Sequence, residues 1–541
     1  MPRARTAAIT TLLVTVAAIT CAETPLRLPL QQRQLFLDDF IVAEMNGLTR
    51  VMHSPEKRGA VLKPQGPLDG EFIQSRSAPM WDPARQRWVM VYIACPLDHP
   101  EWIGPCLAFS EDGLHWTRPD LGMVDIGGSA NNNRIQPGTD ATWPHNALDG
   151  VIFDERDPDP AHRYKGLLGA EWREPIVSAD CVNWRRLGDT RITSGDESEF
   201  VFDTIGNRFL AAVKTYSRYG RTFSITFSSD FEHWEPNRPL FSVDDEDQER
   251  ALQVIEARLD APGLEKPVFV DPAPPPEASR PYQPGGQPTW RAECYNIAVF
   301  PYEGLYIGLP MIYYPTGTSL PAANNTDGFD HIQLAVTRDL ESWQRLGDRK
   351  PFIGPSAIDN GRAGVYDRMQ LVPTNQPVLR NDELWFYYTG FKWRDSPYKV
   401  NHDGSPTDPA TLTEAQRADR DEGWAAICLA VLRRDGFISL DAAEKGYVLT
   451  RPVLLDGTGL FLNVDASRGS VLVEVVDETG VALPGYALAD CTAIHENALK
   501  TRMRWNSGKD LGDLPAGPVR LKFHIENASL YAFWTEQAPA A

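Results

Sequence analysis

The chain is 541 residues long, with 53 basic and 73 acidic side chains and a formal net charge of −20. That length exceeds what a single core organises and implies two domains, one of them large. The excess of acid repels nucleic acid and anionic membranes and excludes both as general partners of the surface, while 44 prolines and 41 glycines point to many turns and few long helices.

In chain order, Met1 to Ala22 reads as a secretory signal peptide. Arg3 and Arg5 form a basic start, Thr6 to Ile19 a short apolar run, and Ala22 a small residue at the cleavage position. The protein is therefore expected outside the cytoplasm, secreted or periplasmic; a lipoprotein acylated on Cys21 is the alternative. Removing residues 1–22 takes away two arginines and no acid, so the net charge becomes −22. No later apolar run reaches the roughly 20 residues of a membrane helix. Six cysteines follow, at 95, 106, 181, 294, 428 and 491, with no CxxC among them. Export permits disulfides, and Cys95 with Cys106 is a pair that could join adjacent strands; no zinc site is expected.

One short pattern recurs: Ser or Thr, any residue, Asp, three residues, Trp. Its copies are Ser110 to Trp116, Ser178 to Trp184, Ser228 to Trp234 and Thr337 to Trp343, with a degraded fifth at Arg433 to Ser439 that keeps Asp435 and loses the tryptophan. Strand-like stretches precede them, such as Trp88 to Tyr92, Phe209 to Val213 and Leu384 to Tyr388, all rich in β-branched or aromatic residues. The Ser and Asp side chains suit a tight turn by binding nearby backbone N–H groups, and the Trp anchors the strand that follows. One such turn per four-stranded sheet is what a propeller blade requires. Five units result, at 71–120, 143–190, 195–242, 291–352 and 363–442. Asp244 to Pro288 reads as a loop-like insertion, its Asp244-Asp245-Glu246-Asp247 start as a solvated charge run rather than a calcium loop. Asn401 to Asp421 is a second polar insertion with a short helix at Leu412 to Arg420. After Gly446 the pattern changes: Val471 to Val476 and Val519 to Ile525 alternate as half-buried strands, which suits a β-sandwich. The expected fold is all-β, a five-bladed β-propeller over 23–445 followed by a C-terminal β-sandwich over 446–541.

The SxDxxxW turn, clearest in Ser110-Glu111-Asp112-Gly113-Leu114-His115-Trp116, resembles the blade turn of glycoside hydrolase families 32 and 43. The trailing sandwich is similar to the family 32 module. Phe36 to Phe40, Arg76 to Asp82 and Leu346 to Phe352 resemble an uncharacterised bacterial branch of that group. The resemblance implies a glycosidase with an aspartate base or nucleophile in the first blade, a tuning aspartate in the second and a glutamate acid in the third. This sequence departs from the pattern: the first blade offers Arg76, the nearest acids are Asp38 and Asp39 upstream of it, and the Asn-Asp-Pro-Asn motif of family 32 is absent. Arg156-Asp157-Pro158 repeats familiar letters in a turn outside the funnel.

Glycosidic cleavage needs a carboxylic acid and a carboxylate, drawn in a propeller from the innermost strands. The candidate catalytic residues are Glu197 as the acid, Asp149 as base or modulator, and Glu293 and Asp367 for the remaining carboxylate. Arg76, Asp196, Asn296, His331 and Arg368 are the candidate substrate-binding residues. Arg76 and Arg368 would neutralise crowded carboxylates or grip an acidic sugar, and Trp143, Tyr295 and Trp393 could stack on sugar faces. The partner is an oligo- or polysaccharide, an acidic one included; no cofactor and no metal are called for. Two alternatives stay open: a sugar-binding propeller without catalysis, and a polysaccharide lyase that would use His331 or a tyrosine with an arginine.

Overall fold

A computed structural model describes residues 24–137, 146–148, 150–270, 292–318, 326–394, 397–399 and 405–537. The protein is all-β, 46% strand against 10% helix. Asp149 and Trp143 lie outside the described residues.

Three antiparallel sheets follow one another as closed sequence units. They begin with strands Gly150–Phe153, Ser198–Asp203 and Glu293–Tyr302, and each runs outward through successive neighbours. A fourth, nine-stranded sheet joins two further sets through one parallel bridge, Ala425 to Phe72. One set is built on Arg87–Cys95. The other is built on Glu383–Phe391 and Ala425–Arg433, and its outer partner is Glu56–Leu62 from far upstream. This pairing ties an upstream strand to one far later in the chain without any covalent link.

The first strands of these sets lie side by side. Asn375 locks them: its N–H donates to the Arg76 carbonyl (3.0 Å), its Nδ2 to the Phe200 carbonyl (2.9 Å), and its Oδ1 accepts from Ala78 N–H (2.9 Å). Three segments from distant parts of the chain thus satisfy backbone groups that a buried strand end would otherwise leave without partners.

The four SxDxxxW copies build the same turn. Asp112 Oδ1 accepts from Leu114 and His115 N–H, both at 2.8 Å, and the Trp116 indole donates to the Gly113 carbonyl at 3.2 Å. Asp180 and Asp230 repeat the carboxylate contacts at 2.8–2.9 Å and Asp339 at 2.7–2.8 Å. The residue after each aspartate is left-handed: Gly113, Cys181, Phe231 and Leu340, with φ of 74°, 61°, 67° and 62°. For the last three that conformation costs about 1 kcal/mol each, and complete burial of their side chains offsets it. The expected fifth copy is a different turn. Asp435 is itself left-handed (φ 62°) and buried, and it accepts from Arg33 Nη1 (2.6 Å), Tyr302 Oη (2.6 Å) and Asn463 Nδ2 (3.0 Å).

Three further expectations are corrected. The 244–288 insertion contains a helix, Asp245–Asp260, opened by a reciprocal cap between Asp244 and Asp247. Of the four acids there, Asp244, Asp245 and Glu246 are exposed as expected of a solvated run, while Asp247 is buried against Arg345 and Arg349; all four sit at a helix N-terminus, where the dipole favours acids. Cys95 and Cys106 do lie on adjacent strands, but all six cysteines after Cys21 are free and buried. The boundary expected at 445/446 falls inside one strand, Ile438–Thr450, of an eight-stranded sheet that also recruits Val42–Asn46 and Thr49–Met52 from upstream. That sheet has its own core, with Phe523, Leu530 and Phe533 among its buried residues.

Candidate functional site

The polar residues at the beginnings of the first strands assemble as charge pairs. Arg76 stands between the short strands Phe72–Gln74 and Met80–Asp82, ahead of the second, and Glu197 precedes Ser198–Asp203. The guanidinium grips the carboxylate with both arms, Nε to Oε2 at 2.5 Å and Nη2 to Oε1 at 2.8 Å, and both residues are buried. Such forked pairs combine charge with fixed geometry. They also engage both oxygens of the Glu197 carboxylate.

Asp196 turns to the other side. Lys214 Nζ donates to its Oδ1 at 2.6 Å; the lysine side chain is fully buried while that of Asp196 is 61% accessible. Burial of its surroundings opposes the charge, but Lys214, aided by Arg221, outweighs it and holds the Asp196 carboxyl down at about 2. Arg221 donates to Glu293 Oε2 at 2.8 Å. Gly220 permits this approach, because at φ 82° with the Glu293 carboxyl 2.8 Å from where a Cβ would stand, a side chain would be both strained and obstructed.

Tyr295 is the hub of the cluster. Lys214 Nζ sits 4.2 Å from its ring centre, Arg221 at 5.0 Å and Arg394 at 5.2 Å, within the range of cation–π attraction. Arg394 also lies 4.8 Å from the Tyr313 ring, which meets Tyr295 edge-on at 5.7 Å. Asn296, next along the strand, donates to Glu199 Oε1 at 2.9 Å. Arg76, Glu197, Asp196, Glu293 and Asn296 are thus all held at the same ends of neighbouring strands, as read from the sequence. Lys214, Arg221, Arg394 and Tyr313 were missed. A lone lysine inside the apolar strand Arg208–Ser217 was the available signal for the first.

Three candidates fall elsewhere. Asp367 is pinned by Lys57 Nζ (2.6 Å), Tyr388 Oη (2.8 Å) and Ser356 Oγ (3.0 Å). Arg368 is buried in an ion cluster with Asp419 (2.9 Å) and Glu265 (3.3 Å) beside Trp393, and Lys392 shares Asp419 at 2.9 Å. It anchors the second insertion, whose helix Glu414–Asp421 carries Asp419. His331 lines a separate cavity against the helix Asp245–Asp260, because alternation along Thr326–Ile332 turns it opposite to Asp330. Asp38 and Asp39 pair with Arg338 and Arg50 outside the cluster. Among the described residues no three potential ligands gather as a metal site.

No protein-family model and no curated protein matches the sequence. Solved structures similar to it include a glycoside hydrolase (12% identity, TM-score 0.39, covering 70% of this chain and 92% of that one). Another is an N-acetylgalactosamine deacetylase from F. plautii in complex with blood group B trisaccharide (14%, 0.37, 72% and 96%). A third is an exo-β-1,3-galactanase from Phanerochaete chrysosporium with β-1,3-galactotriose (9%, 0.31, 90% and 99%).

Proposed function

We propose that the five strand sets form a five-bladed β-propeller, that the eight-stranded sheet is a C-terminal sandwich, and that the cluster around Tyr295 is the floor of a funnel that binds and hydrolyses a glycoside bearing an acidic group. The observation that carries this reading is the gathering of Lys214, Arg221 and Arg394 on the Tyr295 ring, with Arg76 gripping Glu197 next to the Asp196 that Lys214 holds. Tyrosine faces suit sugar rings, and arginine forks suit carboxylates and sulfates. Export by residues 1–22 would place the enzyme where such polymers are found.

In this reading Glu197 is the general acid. A substrate carboxylate or sulfate that takes the fork of Arg76 frees the Glu197 carboxyl to turn toward the substrate. Asp149 is the proposed base or modulator, Asp196 and Asn296 hold sugar hydroxyls, and Glu293 keeps Arg221 in place. Asp367, pinned by three donors, is assigned a supporting part.

The ion pairing of Glu197, Glu293 and Asp367 favours one second reading, a sugar-binding propeller without catalysis. Assay of new reducing ends on neutral and uronic or sulfated polysaccharides separates the two. Hydrolysis predicts turnover of an acidic substrate that Glu197→Gln and Asp149→Asn each reduce by about 10²–10⁴-fold, with Asp367→Asn far milder. Retention of the glycan in affinity electrophoresis with no cleavage would establish the binding module instead. An ultraviolet-absorbing unsaturated product would make the protein a lyase.

A further inference from the structure

The helix Asp245–Asp260 covers a cavity of about 620 Å³ that shares no residue with the cluster around Tyr295. That volume is in the range of small-molecule sites. Its inner wall is aromatic: Tyr314 and Phe329, on the paired strands Leu305–Thr318 and Thr326–Ile332, stack at 5.3 Å with a 25° tilt. Val254, Ala257 and Leu264 add an aliphatic side.

The polar part of the wall holds Asp247 and Asp348, both engaged by arginines, and one buried donor that is not fully satisfied. Arg258 is buried; its Nε donates to the Glu265 carbonyl at 2.9 Å and its Nη2 to the Arg368 carbonyl, yet Nη1 has no hydrogen-bond partner. The desolvation that results lowers its pKa to about 10, against the opposing charges of Glu265 and Asp330. Glu265 is itself engaged by Arg362 and Arg368. His331, also buried, takes the Gln333 amide N–H on Nε2 at 3.0 Å, which leaves its proton on Nδ1. Burial, with Arg345 and Arg258 nearby, holds that imidazole neutral, down at about 3. Exposed Lys350 stands at the mouth, whereas Arg250 and Arg349 are already paired with Asp348 and Asp244.

An aromatic slot with a buried, incompletely satisfied arginine, a neutral N–H donor and a lysine at its entrance is matched by an anion with a flat apolar body. The geometry points to this cavity as a binding site for a small aromatic carboxylate or sulfonate, its ring on the Tyr314–Phe329 face and its acid toward Arg258.

The test uses the full chain and 1-anilinonaphthalene-8-sulfonate, followed by its fluorescence, with N-phenyl-1-naphthylamine as the same ring system lacking the sulfonate. Saturable one-to-one binding of the sulfonate is expected, with the amine at least about tenfold weaker. Val254→Trp, which fills the slot from the helix, and Arg258→Gln should each weaken sulfonate binding by at least about tenfold, with near-ultraviolet circular dichroism confirming the native fold. Because Arg258 also holds two backbone carbonyls, Lys350→Gln serves as a surface counterpart and should weaken binding severalfold without altering the melting temperature. Equal binding of the neutral amine, or undiminished binding by folded Val254→Trp, would overturn the assignment.

Discussion

Arg76 and Glu197, 121 residues apart in the chain, meet through two parallel hydrogen bonds of 2.5 and 2.8 Å inside the protein. The pair stitches the first strands of two sheets together. Removing one partner from a buried pair leaves the other charge uncompensated at a cost of about 3–5 kcal/mol, whereas replacing both with apolar groups costs far less. Arg76→Met and Glu197→Met should therefore each be strongly destabilising and the double variant markedly less so than their sum. Urea unfolding of the four proteins measures the coupling; additive losses would show that the pair does not act as a unit.

Asp435 should prove as important to the union of the sheets as any apolar contact. Its buried carboxylate takes bonds from Arg33, Tyr302 and Asn463, residues of three separate stretches of chain. Asp435→Ala is expected to cost about 3–5 kcal/mol by stranding the Arg33 charge, read as a fall in melting temperature. A change within experimental error would mean that Arg33 finds solvent without difficulty.

The turn aspartates predict the acid limit of stability. Burial pushes the Asp230 carboxyl up, but bonds from His233, Glu232 and Ser228 outweigh it and hold it at about 2; the N–H groups of Ser342 and Glu341 hold Asp339 at about 2. A depressed folded value means stability that is complete above the unfolded value of about 3.9 and is lost as the pH falls toward 2. Thermal melts from pH 5 to pH 2 should show that loss, and a double Asp230→Asn, Asp339→Asn variant should show a shallower one. An identical slope in the variant would assign the acid limit to other carboxylates.

The thiols should be silent in the native state. Cys106 is pushed up to about 11 by burial, and Cys95, Cys181 and Cys294 higher still, so neither thiolate nor access is provided. With residues 1–22 removed, a thiol-specific chromogen should label none of the six before denaturation and all six after it, and reductant should leave the melting temperature unchanged. Fewer than six in guanidinium would reveal a disulfide.

The sequence by itself determined the local grammar of this protein. Ser-x-Asp needs only its own backbone to close a turn, and Trp184 or Trp234 needs only the strand it begins, so four turns and the strands before them could be read from spacing. The position of Arg76, Asp196, Glu197, Glu293 and Asn296 beside the ends of otherwise apolar strands could be read as well. What tertiary structure alone decided is who meets whom. Glu56–Leu62 completing a sheet with Ala425–Arg433, Asn375 bridging Arg76, Ala78 and Phe200, and Asp435 joining Arg33 to Tyr302 depend on backbone groups and charges hundreds of residues apart. Burial makes such distant pairings obligatory, because an unpaired polar group away from water costs more than any local preference repays, and no local pattern records which partner will satisfy it.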